Sequence, residues 1–277
     1  MITITVLSEN TARGPGILGE HGLAWWIDTG DHRVLFDTGQ GLALRHNAAR
    51  LGIDLARADA IVLSHGHYDH VGGLETAMAA APGAALYLHP RAKEPKYSGV
   101  APGVVRRIST DFMEREAFRQ PGRRVVITRE PAEVVPGVWM TGEVPRANDF
   151  EDTGGPFFLD KALTQPDPLL DDQSLHVSTP SGLLVIFGCA HAGVVNTLGH
   201  IARLAEGAPL RLIIGGLHLE NASARRMEET VRALRSCRPA QMGFCHCTGL
   251  HAIRRLWREF PEECVQAHAG LRLEFAG

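Results

Sequence analysis

Ser64-His65-Gly66-His67-Tyr68-Asp69-His70-Val71-Gly72-Gly73 follows directly on the apolar run Ala60-Ile61-Val62-Leu63. The run reads as a buried strand that delivers the polar loop to a sheet edge. Three histidines and one aspartate, His65, His67, Asp69 and His70, then fall within six positions. Neutral imidazole and carboxylate are ligands preferred by zinc and its first-row neighbours, and catalytic sites of this kind keep a position open for water or substrate. A polar loop has no packing reason to hold this set while Gly66, Gly72 and Gly73 keep its backbone slim.

Working outward, Phe36-Asp37-Thr38-Gly39 lies upstream and Gly188-Cys189-Ala190-His191 downstream. With H-x-H-x-D-H between them, the order resembles the metallo-β-lactamase superfamily. Glu20-His21-Gly22, Asp171-Asp172-Gln173 and His246-Cys247-Thr248-Gly249 extend the resemblance to the subgroup typified by a dihydropterin-ribofuranosylaminobenzene-phosphate synthase. The resemblance implies an α/β fold: a four-layer αββα sandwich, two mixed sheets face to face with helices outside. It implies that His65, His67 and His191 hold one divalent ion and that Asp69, His70 and His246 hold a second. Zinc is the first expectation, with manganese or iron as alternatives, and the second site is expected to be the weaker. A metal-activated water would be the nucleophile, with Asp69 and His218 in catalytic roles. Asp37 is expected to brace the metal loop without binding metal, since imidazole ligands need hydrogen-bond partners to fix tautomer and direction.

Composition narrows the class. The chain has 277 residues and 44% hydrophobic content, enough for one domain over 1–277 with a substantial core. Its net charge of -3 gives no basic stripe, and the pairs Arg106-Arg107 and Arg123-Arg124 read as solvated surface, which argues against nucleic acid. No apolar segment approaches ~18 residues, and Met1–Val6 alternates like a strand instead of a signal sequence, so no membrane role and a cytoplasmic location are expected. Five cysteines, an odd number, argue against a disulfide framework. Cys245 and Cys247, flanking His246, are expected to pack in the core or lie near the site without binding metal.

Along the chain, Ile2–Leu7 reads as a strand, and Leu23–Asp28 with Arg33–Phe36 as a hairpin. A helix is expected from Gly41 to Leu51 and another over Leu74–Ala80. In the second half, strands at Ser174–Ser178, Leu183–Phe187, Leu210–Ile214 and Gln241–Cys245 alternate with helices, and each strand ends in a small residue or a possible ligand. Open α/β sheets build sites in this way, at the carboxyl ends of their strands. Residues 91–172 form the least regular stretch and read as an insertion or lid-like segment. Arg146 and Lys161 within it are candidates for an anionic group. Glu20, His21 and Asp172 are further candidates for substrate contact, with turn roles as the alternative for the first two.

One departure bears on substrate. Where most superfamily members carry an aspartate bridging both metals, this chain reads Ile214-Gly215-Gly216-Leu217-His218. Asp69 is then the one carboxylate expected at the metals, leaving excess positive charge for an anionic small-molecule substrate to offset. A carboxylate restored at Gly216 is expected to strengthen the second site. The activities that follow are a metal-dependent hydrolase of a phosphate-bearing molecule or a synthase-like transfer, with a non-catalytic metal-dependent binding protein as the third reading.

Overall fold

The computed structural model describes residues 1–101 and 103–277. Alternation along the strands sets the layers. In Ala24–Asp28, Trp25 and Ile27 point one way while Ala24 and Trp26 point the other, and Arg33–Phe36 and Ala60–Val62 divide likewise. Side chains of opposite parity must enter different cores. One parity joins Leu184, Ile186, Leu212 and Ile214 of the second half in a core between two sheets, and the other packs beneath helices. Because both faces are covered, these strands read as continuous apolar runs.

The first sheet has the spatial order Arg272–Phe275, Ile2–Ser8, Ala24–Asp28, Arg33–Phe36, Ala60–Val62, Ala85–Leu88, Val125–Ile127. The second runs Cys264–Gln266, Gln241–Cys245, Leu210–Gly216, Gly182–Phe187, Ser174–Thr179, Val138–Met140, Ala132–Val135. Helices Leu44–Arg50 and Leu74–Ala80 cover the outer face of the first, and Val194–Leu204, Ala224–Cys237 and Leu250–Glu259 that of the second. This is the αββα arrangement expected. Four consecutive strands of each sheet are parallel, and the chain leaves the carboxyl ends of Arg33–Phe36, Ala60–Val62, Gly182–Phe187, Leu210–Gly216 and Gln241–Cys245 directly into the residues singled out above.

The reading of 91–172 as one insertion is corrected. Val125–Ile127 extends the first sheet, and Ala132–Val135 and Val138–Met140 extend the second. Only Tyr97–Ala101, Val104–Arg107 and Phe157–Phe158 form a separate three-stranded sheet. No helix among the described residues is long and apolar enough to cross a membrane.

That small sheet is tied to the metal loop by a buried ion triad. Lys96, fully buried, donates to Asp167 at 2.7 Å and to Asp171 at 3.0 Å, and Asp171 also accepts from the Gly66 amide at 2.8 Å. Burial works against the ammonium, but Asp171 and then Asp167 outweigh it and raise its pKa. Gly66 must be glycine here, since a Cβ would stand 2.2 Å from the Ala92 carbonyl oxygen. Removing the cation leaves two buried carboxylates uncompensated, so Lys96→Ala should cost roughly 3–5 kcal/mol in urea unfolding. A loss under about 1 kcal/mol, the value of an exposed pair, would remove the triad from this role.

Candidate metal centre

Four backbone positions at the strand ends adopt left-handed conformations without being glycine: Asp37 (φ 58°), Ala190 (φ 50°), His218 (φ 46°) and His246 (φ 52°). Each costs conformational energy that the surrounding structure must offset, and such positions cluster at functional sites. Here they turn the chain sharply and bring side chains from both sheets together.

His65, His67 and His191 face one another with ring centroids 4.4–5.0 Å apart. His65 Nδ1 lies 2.9 Å from Ser64 Oγ, and His191 Nδ1 donates to the Thr153 carbonyl at 2.8 Å. The Nε2 atoms of all three rings are buried and have no partner. An unpaired buried nitrogen is costly, and three converging ones fit a cation. Burial, then the neighbouring imidazoles, pushes His65 far below the ordinary histidine range, and burial with Lys96 takes His67 down to about 3. The rings are therefore neutral at physiological pH, the form that binds metal.

The second set is Asp69, His70 and His246. His70 Nδ1 donates to Asp37 at 2.6 Å and His246 Nδ1 to Asn10 at 2.8 Å, so both Nε2 atoms present lone pairs. Those atoms lie 3.3 Å apart, at 3.8 and 3.3 Å from Asp69 Oδ2. Ligands of a tetrahedral zinc ion stand about 3.3–3.4 Å apart, so this triangle fits one ion. Burial disfavours charge on His70, but Asp37 and then Asp69 outweigh it and raise its pKa. The field that attracts a proton there also attracts a metal.

Asp37 lies behind His70 and the start of the histidine-rich loop. Its carboxylate, buried, takes the Ser64 amide (2.7 Å), Ser64 hydroxyl (2.6 Å) and His70 Nδ1. Gln173 holds the same loop through the carbonyls of Leu63 and Ser64.

A cavity of about 720 Å³ opens onto both sets, and His21, Tyr68, Arg106, Phe157, His218 and Trp257 are among its lining residues. His21 Nε2 reaches Asp69 Oδ2 at 3.3 Å. His218 packs against His191 at 4.2 Å between centroids, with its Nδ1 buried and unpaired.

Three candidates for substrate contact are corrected: they lie outside the cavity and bond largely within the protein, with Arg146 Nε and Asp172 Oδ1 buried and unpaired. Glu20 accepts from Ser8 and from the amides of Leu42 and Ala43 at the start of a helix. Arg146 donates to the carbonyls of His191, Pro168 and Leu169. Asp172 is buried, its pKa raised to about 6 by that burial, and it accepts from the Ala192 amide at 2.8 Å. None of the three lines the cavity. Lys161 is exposed and also outside it. The expectation for Gly216 is corrected too: a Cβ there would lie 2.6 Å from the Gly188 carbonyl oxygen and 2.7 Å from Cys247 Sγ, leaving no room for a carboxylate.

Residues given little weight in the sequence prove close to the centre. Glu9 accepts from the His246 amide at 2.8 Å, and Asn10 orients the ring of the same residue. Arg106, read as solvated surface, is exposed as expected but also lies over the Tyr68 ring at 4.6 Å and lines the cavity. The signal available was the recurrence of polar side chains at a strand end, Ser8-Glu9-Asn10, which marks the carboxyl edge as the other strands do.

Comparison with known proteins agrees with this geometry. The metallo-beta-lactamase superfamily model matches residues 18–227. The chain is 29% identical over 266 residues, 92% of its length and 90% of the relative's, to the 7,8-dihydropterin-6-methyl-4-(beta-D-ribofuranosyl)-aminobenzene-5'-phosphate synthase of Methanocaldococcus jannaschii. A crystal structure of a metal-dependent hydrolase of the beta-lactamase superfamily matches over 100% of both chains, with 31% identity and TM-score 0.83. Zn(2+)-bound PqqB from Methylobacterium extorquens shares the fold at 15% identity and TM-score 0.56, over 99% of this chain and all of its own.

Two outcomes follow. Asp37→Asn should weaken metal affinity about 10–100-fold, as changes behind ligands do, in a competition titration with a chromophoric chelator; unchanged affinity would separate Asp37 from the centre. The second concerns pH. Unfolded His67 takes a proton near 6.5 and the native ring only near 3, so the native state binds fewer protons between these values. Stability of metal-free protein should therefore fall as pH drops through that window, by roughly 2 kcal/mol at about pH 5 from this ring alone. Urea unfolding at the two pH values, with His67→Gln flattening the difference, checks the sign.

Proposed function

The chain belongs to the metallo-β-lactamase superfamily, and on that footing we propose that it is a metal-dependent hydrolase of an anionic, phosphate-bearing small molecule. The observation that carries the reading is the pair of imidazole lone pairs, His70 and His246 Nε2, facing each other at 3.3 Å beside Asp69. Such an arrangement is repulsive unless a proton or a metal ion lies between the two nitrogens. We assign one divalent ion to His65, His67 and His191 and a second to Asp69, His70 and His246, with zinc as the metal best matched to these ligands. When bound, the ions activate water near neutral pH and polarise the bond under attack.

The residues of the chain do the rest. Arg106 is the one guanidinium or ammonium in the cavity lining among the described residues, and we assign it to the anionic group. Phe157, tilted against His67 at 5.1 Å and edge-on to His191 at 5.3 Å, excludes bulk water from beside the imidazoles. Asp69, whose Oδ2 is assigned to the second ion, is assigned to orient the attacking water through its other carboxylate oxygen. His218, which lines the cavity, is assigned to protonate the leaving oxygen.

A synthase-like transfer is the second reading, and the aromatic lining favours it. Tyr68, Phe157 and Trp257 offer faces to a flat ring system while Arg106 takes a phosphate, as the pterin and ribofuranosyl phosphate of the M. jannaschii relative's name would require.

Metal-loaded protein should release phosphate from one or more members of a phosphoester panel and lose this activity on chelation. Loss of a charge-assisted hydrogen bond predicts that Arg106→Ala lowers kcat/KM about 10–100-fold for phosphoesters while a neutral ester is unaffected. Formation of a coupled product from dihydropterin and ribofuranosylaminobenzene phosphate, without phosphoester turnover, would select the second reading. Full activity after complete metal removal would overturn both.

A further inference from the structure

The two nitrogen sets converge on a sulfur atom. Cys189 Sγ groups with the ligand atoms of His65 and His191, all within 4.8 Å of one another, and groups within the same limit with those of His70 and His246. It lies 3.1 Å from His70 Nε2. Among the described residues, no other residue in these ligand groupings belongs to both sets. The thiol is buried between them, one residue before the strained Ala190 that turns the chain toward His191. Cys247 backs it, with sulfurs 3.3 Å apart, and occupies the space a side chain at Gly216 would need.

We propose that Cys189 is a sulfur ligand of the metal centre, shared by the two ion positions, and that Cys247 positions it. This rests on the metal centre proposed above. Two dications beside one carboxylate, Asp69, keep a large excess of positive charge, and a thiolate supplies a second negative ligand where no acidic side chain fits. Metal binding moves the thiol proton to solvent and forms a metal–sulfur bond, with no change in oxidation state. The unpaired Nε2 atoms of His65 and His191, both buried, aim into the same space and supply the partners that a buried cysteine alone would lack. Thiolate favours zinc or iron(II) and disfavours manganese and magnesium. The centre is accordingly selective for the softer metals, which the nitrogen and oxygen ligands alone would not make it.

Cobalt(II) substitution of the full chain gives the test. Wild-type protein should show d–d bands together with an intense near-ultraviolet thiolate-to-cobalt charge-transfer band. Cys189→Ser should keep cobalt binding to the imidazoles yet lose that band, whereas Cys247→Ser should retain it. Zinc-edge X-ray absorption of the wild type, which needs no variant, should show a sulfur scatterer at about 2.3 Å. Cobalt bound without the band and zinc without sulfur would overturn the thiol assignment while leaving the metal centre intact. Loss of the band in Cys247→Ser with retention in Cys189→Ser would overturn the choice of cysteine. Failure of wild type to bind either metal would overturn the metal centre and this inference together.

Discussion

The Asp37 carboxylate is the constraint on which the site depends. It is buried, sits in a left-handed conformation, and accepts from the Ser64 amide, the Ser64 hydroxyl and His70 Nδ1 at 2.6–2.7 Å. These bonds fix the start of the metal loop, and through Ser64 they reach His65. They also decide which nitrogen of His70 faces the cavity. A carboxylate taken out of water is tolerable only when its lone pairs are filled, so the anchor and the loop determine each other.

The same logic recurs around the centre. Asn10 and the Thr153 carbonyl orient His246 and His191, while Glu9 holds the His246 amide. Asp171 pins Gly66 and is itself held by Lys96. Imidazole ligands are thus presented by hydrogen bonds drawn from both sheets and from the small three-stranded sheet. Rigidity at this edge is obtained at the expense of backbone strain in four strand-end residues, which the packed cores on either side can sustain.

The distribution of hydrogen bonds also explains why several polar residues do not line the cavity. Glu20 and Asp172 occupy helix-start and loop amides that would otherwise be unsatisfied, and Arg146 fills carbonyls of the 168–191 region. Arg106 remains free to face the cavity because its hairpin stands clear of the main sheets. The small sheet and the helix Leu250–Glu259 thus supply lining to the cavity over the metal-loop side chains.

The sequence alone determined the ligand loop and several strands, while the layers were what the family resemblance implied. Apolar runs such as Ala60–Leu63 and Leu183–Phe187 read as buried strands, and the H-x-H-x-D-H spacing has no use in a core, so these were legible from local pattern. Helix Leu74–Ala80 and the Ala24–Asp28 and Arg33–Phe36 hairpin stand where that pattern put them. Tertiary structure decided what depends on distant partners. Val125–Ile127 and Val138–Met140 are apolar runs that read locally as strands, whereas Tyr97–Ala101 and Val104–Arg107 carry too little pattern and become strands because they pair with each other. Whether an arginine faces solvent, a carbonyl or a cavity is set by neighbours far away in the chain, as Arg106 and Arg146 show. The approach of Cys189 to His70 spans 119 positions and arises where the carboxyl ends of strands from the two sheets meet; no local spacing encodes it.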